Sequence, residues 1–301
     1  MKALFAVDGS CEALDAARSA CRFLQARDMQ AELVCVAPDY LPAMTGWEEG
    51  KLRERYRRRI LRETHRILTQ ARDVLRGLGV EAATLSETGP PGGTVVRIAA
   101  DYDVVVLGSK GRAETRNRGL GPVASHVAQH ASSNVFIGRR TEGPNGFRVL
   151  VALDGSEASL AAVETLATLI HWENAEVTLL HVLETPWLHL GLEQDWFGLE
   201  NPAQEQIDPA APWQRRLRTE AERLLERARE RLRIEHPAVE RKIAEGIPAN
   251  EILGEAEQGD YDLVLAGATG VSDLKHQLLG SVSTRLAWHA PCSVLIVRTK
   301  E

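Results

Sequence analysis

Apolar positions along this chain follow two periods. Short, nearly continuous apolar runs alternate with longer stretches in which apolar residues recur every three or four positions. The first run, 2–8, predicts a strand and closes on Asp8-Gly9-Ser10. Ser10 is placed to cap a helix that runs to about residue 25, with Ala13, Ala16, Ala17, Ala20, Phe23 and Leu24 on one face. A strand over 31–36 follows. A long helix over 48–76 then carries Leu52, Tyr56, Ile60, Ile67, Ala71, Val74 and Leu78 as its apolar face, ended by Gly77 and Gly79. Strands over 80–86, 103–108 and 134–138 alternate with helices over 93–100 and 122–131.

The pattern then begins again. Residues 141–146, with two glycines and a proline, read as a linker. Strands over 148–154, 176–183, 239–245, 262–267 and 293–298 alternate with helices over 158–170, 213–233, 249–258 and 282–290. The 213–233 helix presents Leu217, Leu224, Leu225, Ala228 and Leu232. Asp154-Gly155-Ser156 repeats Asp8-Gly9-Ser10 at an offset of 146 positions, a spacing that indicates domain duplication rather than a solenoid. Domains over 1–140 and 147–301 are expected.

Each half reads βαβαβαβαβ with strands apolar on both faces. This predicts α/β architecture: two tandem open five-stranded parallel sheets with helices on both sides. Ligands of such sheets sit beyond the strand carboxyl ends, where strand order reverses. The Asp-Gly-Ser turns and the glycine-rich loops after the fourth strands both fall there and are expected to share one crevice. The last strand of each half would be an exposed apolar edge. The two edges are expected to pair within the chain as a pseudo-dimer, with a dimer of chains as a further possibility.

Composition narrows the class. At 301 residues, 44% hydrophobic and 26% charged, this is an ordinary globular composition for two domains. A net charge of −6 gives no reason to expect nucleic acid as a partner. No apolar run approaches the roughly 20 residues that span a bilayer, so no membrane partner is expected. The N-terminal run is short and meets Asp8, which fits a strand better than a signal peptide. Cys11, Cys21, Cys35 and Cys292 lack zinc-type spacing and read as reduced thiols in or near the core of a cytoplasmic protein.

The chemistry concentrates after the 262–267 strand. Gly267 and Gly270 are followed, nine residues on, by Gly280-Ser281-Val282-Ser283 at the start of a helix. Glycines let backbone approach a ligand, and the first helical N–H groups have no intrahelical partner, so the loop reads as a phosphate site. A glycine-rich crossover with Ser281 as a simple cap is the plain alternative.

With these residues in place, the chain resembles a tandem universal stress protein over nearly its whole length. Gly267, Gly270, Gly280 and Ser281 match the G-x-x-G-x9-G-[S/T] pattern of that family's nucleotide-binding members. The 148–156 stretch and Leu179-Leu180-His181-Val182 resemble its first two strands. The resemblance implies a flavodoxin-like fold, related to the adenine nucleotide alpha hydrolases, and an adenine nucleotide, ATP with or without Mg²⁺. It implies contacts from Ala152, Asp154, Val182, Gly267, Gly270, Lys275, Gly280, Ser281, Val282 and Ser283. Asp154 would reach the nucleoside, the Val182 backbone the adenine edge, and Lys275 and His276 the phosphates. Asp273 is a weak candidate for a metal contact, against its reading as a turn residue.

The first half keeps Asp8, Val36, Gly108, Gly111 and Gly121. However, Pro122 stands where Ser281 stands and Ala124 where Ser283 stands. Proline suits the first helical position but has no N–H, and neither residue has a hydroxyl. Lys110, Arg112, Arg116 and Arg118 preserve charge without the cradle. One competent site, in the second half, is expected. The arginines of the 48–76 helix are interleaved with acids and read as a solvated face. The 186–213 stretch, with Trp187, Trp196, Phe197 and Trp213, reads either as a loop packed on its own domain or as a lid or subunit contact.

A regulatory ATP-binding protein with no catalytic residues is therefore expected. No Walker-type loop is present, and Asp154-Gly155-Ser156-Glu157 departs from the loop of adenylating enzymes. A slow ATPase or phosphoryl-transfer enzyme, and a nucleotide-free dimeric scaffold, are the alternatives.

Overall fold

A computed structural model of the chain describes residues 1–24, 29–38, 48–111, 119–139, 147–170, 172, 175–184, 212–232, 239–270 and 279–298. In the first half the order is β1 (Lys2–Ala6), α1 (Cys11–Phe23), β2 (Gln30–Ala37), α2 (Glu48–Gly77), β3 (Ala82–Thr88), α3 (Pro91–Ala99), β4 (Val104–Gly108), α4 (Pro122–His130) and β5 (Asn134–Gly138). The second half repeats it. Its elements are β6 (Phe147–Leu153), α5 (Glu157–Leu169), β7 (Ala175–Leu183), α6 (Pro212–Leu232), β8 (Val239–Glu245), α7 (Pro248–Gln258), β9 (Leu263–Gly267), α8 (Ser281–His289) and β10 (Ser293–Val297).

The strands form one ten-stranded sheet in the order β3-β2-β1-β4-β5-β10-β9-β6-β7-β8. Within each half all pairings are parallel, and the order reverses between β1 and β4 and between β6 and β9. The halves meet where β5 and β10 pair antiparallel, with Phe136 opposite Leu295. The two apolar edges thus cover each other, and every residue of both strands is buried. Phe23 packs edge-on against Phe147 at 5.1 Å across the same seam, and Leu24 forms an antiparallel bridge with Ile170.

Helices sandwich the sheet. Successive strand side chains point to opposite faces. Phe5, Val106 and Phe136 join α1, α2, α5 and α6 in one core layer, while Leu4, Val105 and Ile137 join α3, α4, α7 and α8 in the other. Duplication extends to individual bonds. The Asp103 carboxylate accepts the Lys2 N–H and the Asp262 carboxylate accepts the Arg148 N–H, each at 2.9 Å, closing the first strand of each half onto its fourth.

Several expectations need correction. No residue of the outermost strands β3 and β8, the edges of the sheet, is fully buried. On α2 the buried face is Thr64, Ile67, Leu68, Ala71 and Leu75, whereas Tyr56 and Leu78 are exposed. Tyr56 lies in the helix's first third, where residues 54–59 are all exposed. Leu217 is likewise exposed in the early part of α6. Cys11 is exposed rather than in the core, while Cys35 and Cys292 are buried. The 186–211 loop lies outside the described residues. No described helix is long and apolar enough to cross a membrane.

Candidate nucleotide site

The strand-ending turns are built alike in both halves. Gly9 and Gly155 sit at φ of 80° and 88°, in the left-handed region that glycine adopts without steric cost. Asp8 Oδ1 accepts the Ser10 N–H at 2.9 Å and the Ser10 hydroxyl at 2.6 Å; Asp154 does the same for Ser156 at 2.9 and 2.7 Å. Each serine oxygen then accepts a first-turn helix amide, Ala13 N–H at 3.1 Å and Ser159 N–H at 3.0 Å. One carboxylate oxygen thus holds the turn, and the turn caps the helix.

The other carboxylate oxygen faces the glycine loop. A Cβ placed on Gly270 would lie 2.7 Å from Asp154 Oδ2, and one on Gly111 would lie 2.9 Å from Asp8 Oδ2. A side chain at the second glycine of either G-x-x-G would thus have to displace the facing carboxylate. The Asp-Gly-Ser turn and the glycine loop meet at the β1/β4 and β6/β9 switch points.

Behind that contact the two loops share one backbone frame. Ala268 N–H donates to Val297 O at 2.8 Å, Gly280 N–H to Ala268 O at 2.8 Å, and Thr284 N–H to Gly280 O at 2.9 Å. In the first half Ser109 N–H donates to Gly138 O at 3.3 Å, Gly121 N–H to Ser109 O at 2.8 Å, and Ser125 N–H to Gly121 O at 2.8 Å. Gly280 and Gly121 precede their helices with nearly the same dihedrals, φ −62° and −67° with ψ 160° in both, and neither helix has a side-chain cap. The first amides of α8 are thus left without a capping side chain.

The halves differ in what they place on this frame. Ser281 is exposed at the first position of α8, with both an N–H and a hydroxyl to offer. Pro122 at the same position of α4 offers neither. Ser283 is buried and donates its hydroxyl to Gly267 O, tying the first turn of α8 to the end of β9. Its side chain is thus engaged with backbone, and its amide is what faces the helix N-terminus. Ala124 cannot make that tie. Val282, Gly267, Gly270 and Gly280 are half-buried around the loop.

Ala152 and Val182 lie near the carboxyl ends of the adjacent strands β6 and β7, as Val36 does on β2. Val182 is buried; Ala152 and Val36 are half-buried. Beside Val182, His181 Nδ1 lies 2.8 Å from Leu153 O and braces the two strand ends. Lys275, His276 and Asp273, and Arg112, Arg116 and Arg118, lie outside the described residues. Among the described residues, no three His, Cys, Asp or Glu side chains are grouped as a metal site. An open cleft of about 400 Å³ between α6 and β8, lined by Arg218, Glu222, Leu225, Arg241 and Ile243, shares no residue with either loop.

Sequence patterns did not single out Arg139 and Arg298. They follow the last strand of each half, and their guanidinium groups bond backbone carbonyls of the opposite half. Their matching positions in the repeat were the available signal.

Comparison with known proteins agrees with the duplication. The Universal stress protein family matches residues 1–139 and again 147–298. Universal stress protein YxiE of Bacillus subtilis is 32% identical over 151 residues, 50% of this chain and 98% of its own. A universal stress protein from Archaeoglobus fulgidus shares the fold over 99% of this chain and 98% of its own, with a TM-score of 0.66 and 18% identity. A universal stress protein solved in complex with cAMP aligns with 52% of this chain and all of its own length, at 22% identity and a TM-score of 0.35. Matched by the family in both halves, the chain belongs to the universal stress protein family.

Proposed function

We propose that this protein binds one adenine nucleotide, ATP, in its second half, and acts as a cytoplasmic regulatory protein whose conformation or assembly the nucleotide biases. The observation that carries this is the comparison of the two loops. They share a backbone frame, but only the second supplies an N–H and a hydroxyl at the first helical position. The phosphates would meet the amides of Ser281, Val282 and Ser283 and the Ser281 hydroxyl. Gly267 and Gly270 would admit the ribose and phosphates, and Asp154 the nucleoside. Ala152 and Val182 would border the adenine, and Lys275 would add charge. The donor set suits an anion: uncapped helix amides, the positive end of a helix dipole, and a glycine kept free of side chain. Asp273 is the candidate contact for Mg²⁺.

The domains over 1–140 and 147–301 act as a pair in this proposal, the first a structural partner with a degenerate site at Asp8, Val36, Gly108, Gly111 and Gly121. A dimer of chains would need a surface other than β5 and β10, which are already paired. The test is direct. Purified protein is denatured and released nucleotide is identified by mass spectrometry, with titration calorimetry on nucleotide-free protein. One ATP per chain, bound at least tenfold more weakly in Ser281→Pro, is the expected result. Two per chain would refute the role given to Pro122, and none would refute the site.

A further inference from the structure

The two ends of α8 have different owners. Its N-terminus is the cradle proposed above, while its C-terminus is held by the first half. Arg139 directly follows β5, and its guanidinium crosses the β5–β10 seam. Nη2 donates to Ala287 O at 2.6 Å and Nη1 to Cys292 O at 3.1 Å. Ala287 O is among the last carbonyls of α8, which lack partners inside the helix. Cys292 O belongs to the turn entering β10. One rigid, planar group thus ties the end of the helix to the start of the next strand.

Arg139 is itself fixed. Its N–H donates to Ser293 Oγ at 3.1 Å, and its carbonyl accepts from Ser19 Oγ at 2.9 Å. Burial pushes its guanidinium down to about 10, and one of its acceptors, Ala287 O, is a backbone dipole at a helix C-terminus, where a cation is favoured. Gly119, on the first-half glycine loop, faces the Trp288 ring of α8, where an added Cβ would meet the ring at an ordinary van der Waals distance of 3.5 Å.

The same clamp runs in reverse. Arg298 follows β10, and its Nη2 donates to Ala128 O at 2.7 Å and Gln129 O at 3.3 Å at the end of α4. Each half therefore grips the loop helix of the other. The helices differ in how they begin, α4 with Pro122 and α8 with Ser281. α8 has only nine residues, about 13 Å of helix, between its cradle and its clamp. Ser283 pins its first turn to β9 and Arg139 pins its last turn to β10. Together they fix the direction in which the cradle amides point.

We propose that Arg139 of the first half is a positioning residue for the second-half phosphate cradle, so that the first half sets how tightly the second holds phosphate. This rests on the nucleotide site assigned above. The test compares ATP and adenosine binding by calorimetry in the full chain, wild type against Arg139→Met and Arg139→Lys, with folding checked by circular dichroism. Arg139→Met is expected to weaken ATP about tenfold while changing adenosine less than twofold, and to speed amide exchange in α8 but not in α1. Arg139→Lys, which keeps the charge but not the fork, is expected to recover part of the loss. Equal losses for ATP and adenosine would show a merely loosened fold and overturn the proposal, as would unchanged ATP binding. Absence of ATP binding by wild type would overturn the site and this proposal together.

Discussion

Gly270 is the residue where the two halves of the site touch, since Asp154 Oδ2 occupies the space a Cβ would need. Gly270→Ala must displace the Asp154 carboxylate, whose other oxygen holds the Ser156 turn. The expected result is a lower thermal midpoint together with at least tenfold weaker ATP binding. Gly111→Ala faces the same contact at Asp8 and should cost similar stability, yet leave nucleotide stoichiometry at one. Equal effects of the two variants on ATP would contradict a single competent site. The thiols make a separate prediction. Burial pushes Cys21 and Cys292 up to about 12, so the folded state holds their protons after the unfolded chain has begun to release them near pH 9. That contribution to stability is fully present below about pH 9 and is lost as pH rises toward 12. Urea midpoints measured from pH 8 to 10.5 should fall, and less so in Cys292→Ala. Alkylation at pH 8 should reach exposed Cys11 first.

At the scale of elements, α4 and α8 are a natural experiment in one position. Both begin after a glycine of the same conformation, and proline is sterically welcome at the first helical residue. Ser281→Pro should therefore fold normally while removing one amide and one hydroxyl from the cradle. Hydrogen bonds to a charged group contribute roughly 1.5–3 kcal/mol each, so a fall of at least tenfold in ATP affinity is expected from calorimetry. Pro122→Ser should return those donors to the first half and give weak binding of a second ATP. An unaltered stoichiometry at millimolar ATP would show that Ala124, which cannot tie its helix to β4, also matters. The contrast between Ser281 and Pro122 was legible in the sequence because it depends on residue type at a repeated position. So were the elements, since apolar periodicity marks them. The Ser283 bond to Gly267 was not legible: a hydroxyl near a helix start looks the same whether it faces phosphate or backbone. Nor was the exposure of Tyr56, because periodicity continues along α2 beyond the body that could bury it.

The whole molecule is one sheet made from two, and its middle is the least dispensable part. β5 and β10 are edges in each half taken separately, yet every residue in them is buried in the intact chain. Val294, Leu295 and Ile296 pair with Ile137, Phe136 and Val135, and Arg139 and Arg298 close the seam from both sides. A fragment of residues 147–301 would present this apolar edge, two carbonyls that Arg139 had satisfied, and an Arg298 without its acceptors. Unpaired strand edges recruit other strands, and the antiparallel geometry at β5–β10 can be reproduced by two copies of β10 about a two-fold axis. The fragment is expected to homodimerise or precipitate when expressed alone, as read by light scattering after size exclusion. Co-expression with residues 1–146 should give a one-to-one complex with the thermal midpoint close to that of the intact chain. If nucleotide binding and the seam are coupled through α8, ATP must also tighten the association of the two fragments, because linkage is reciprocal in binding free energy. A monomeric, soluble 147–301 fragment that binds ATP as tightly as the full chain would show that the second half needs no partner, and the duplication would have to be explained without the seam.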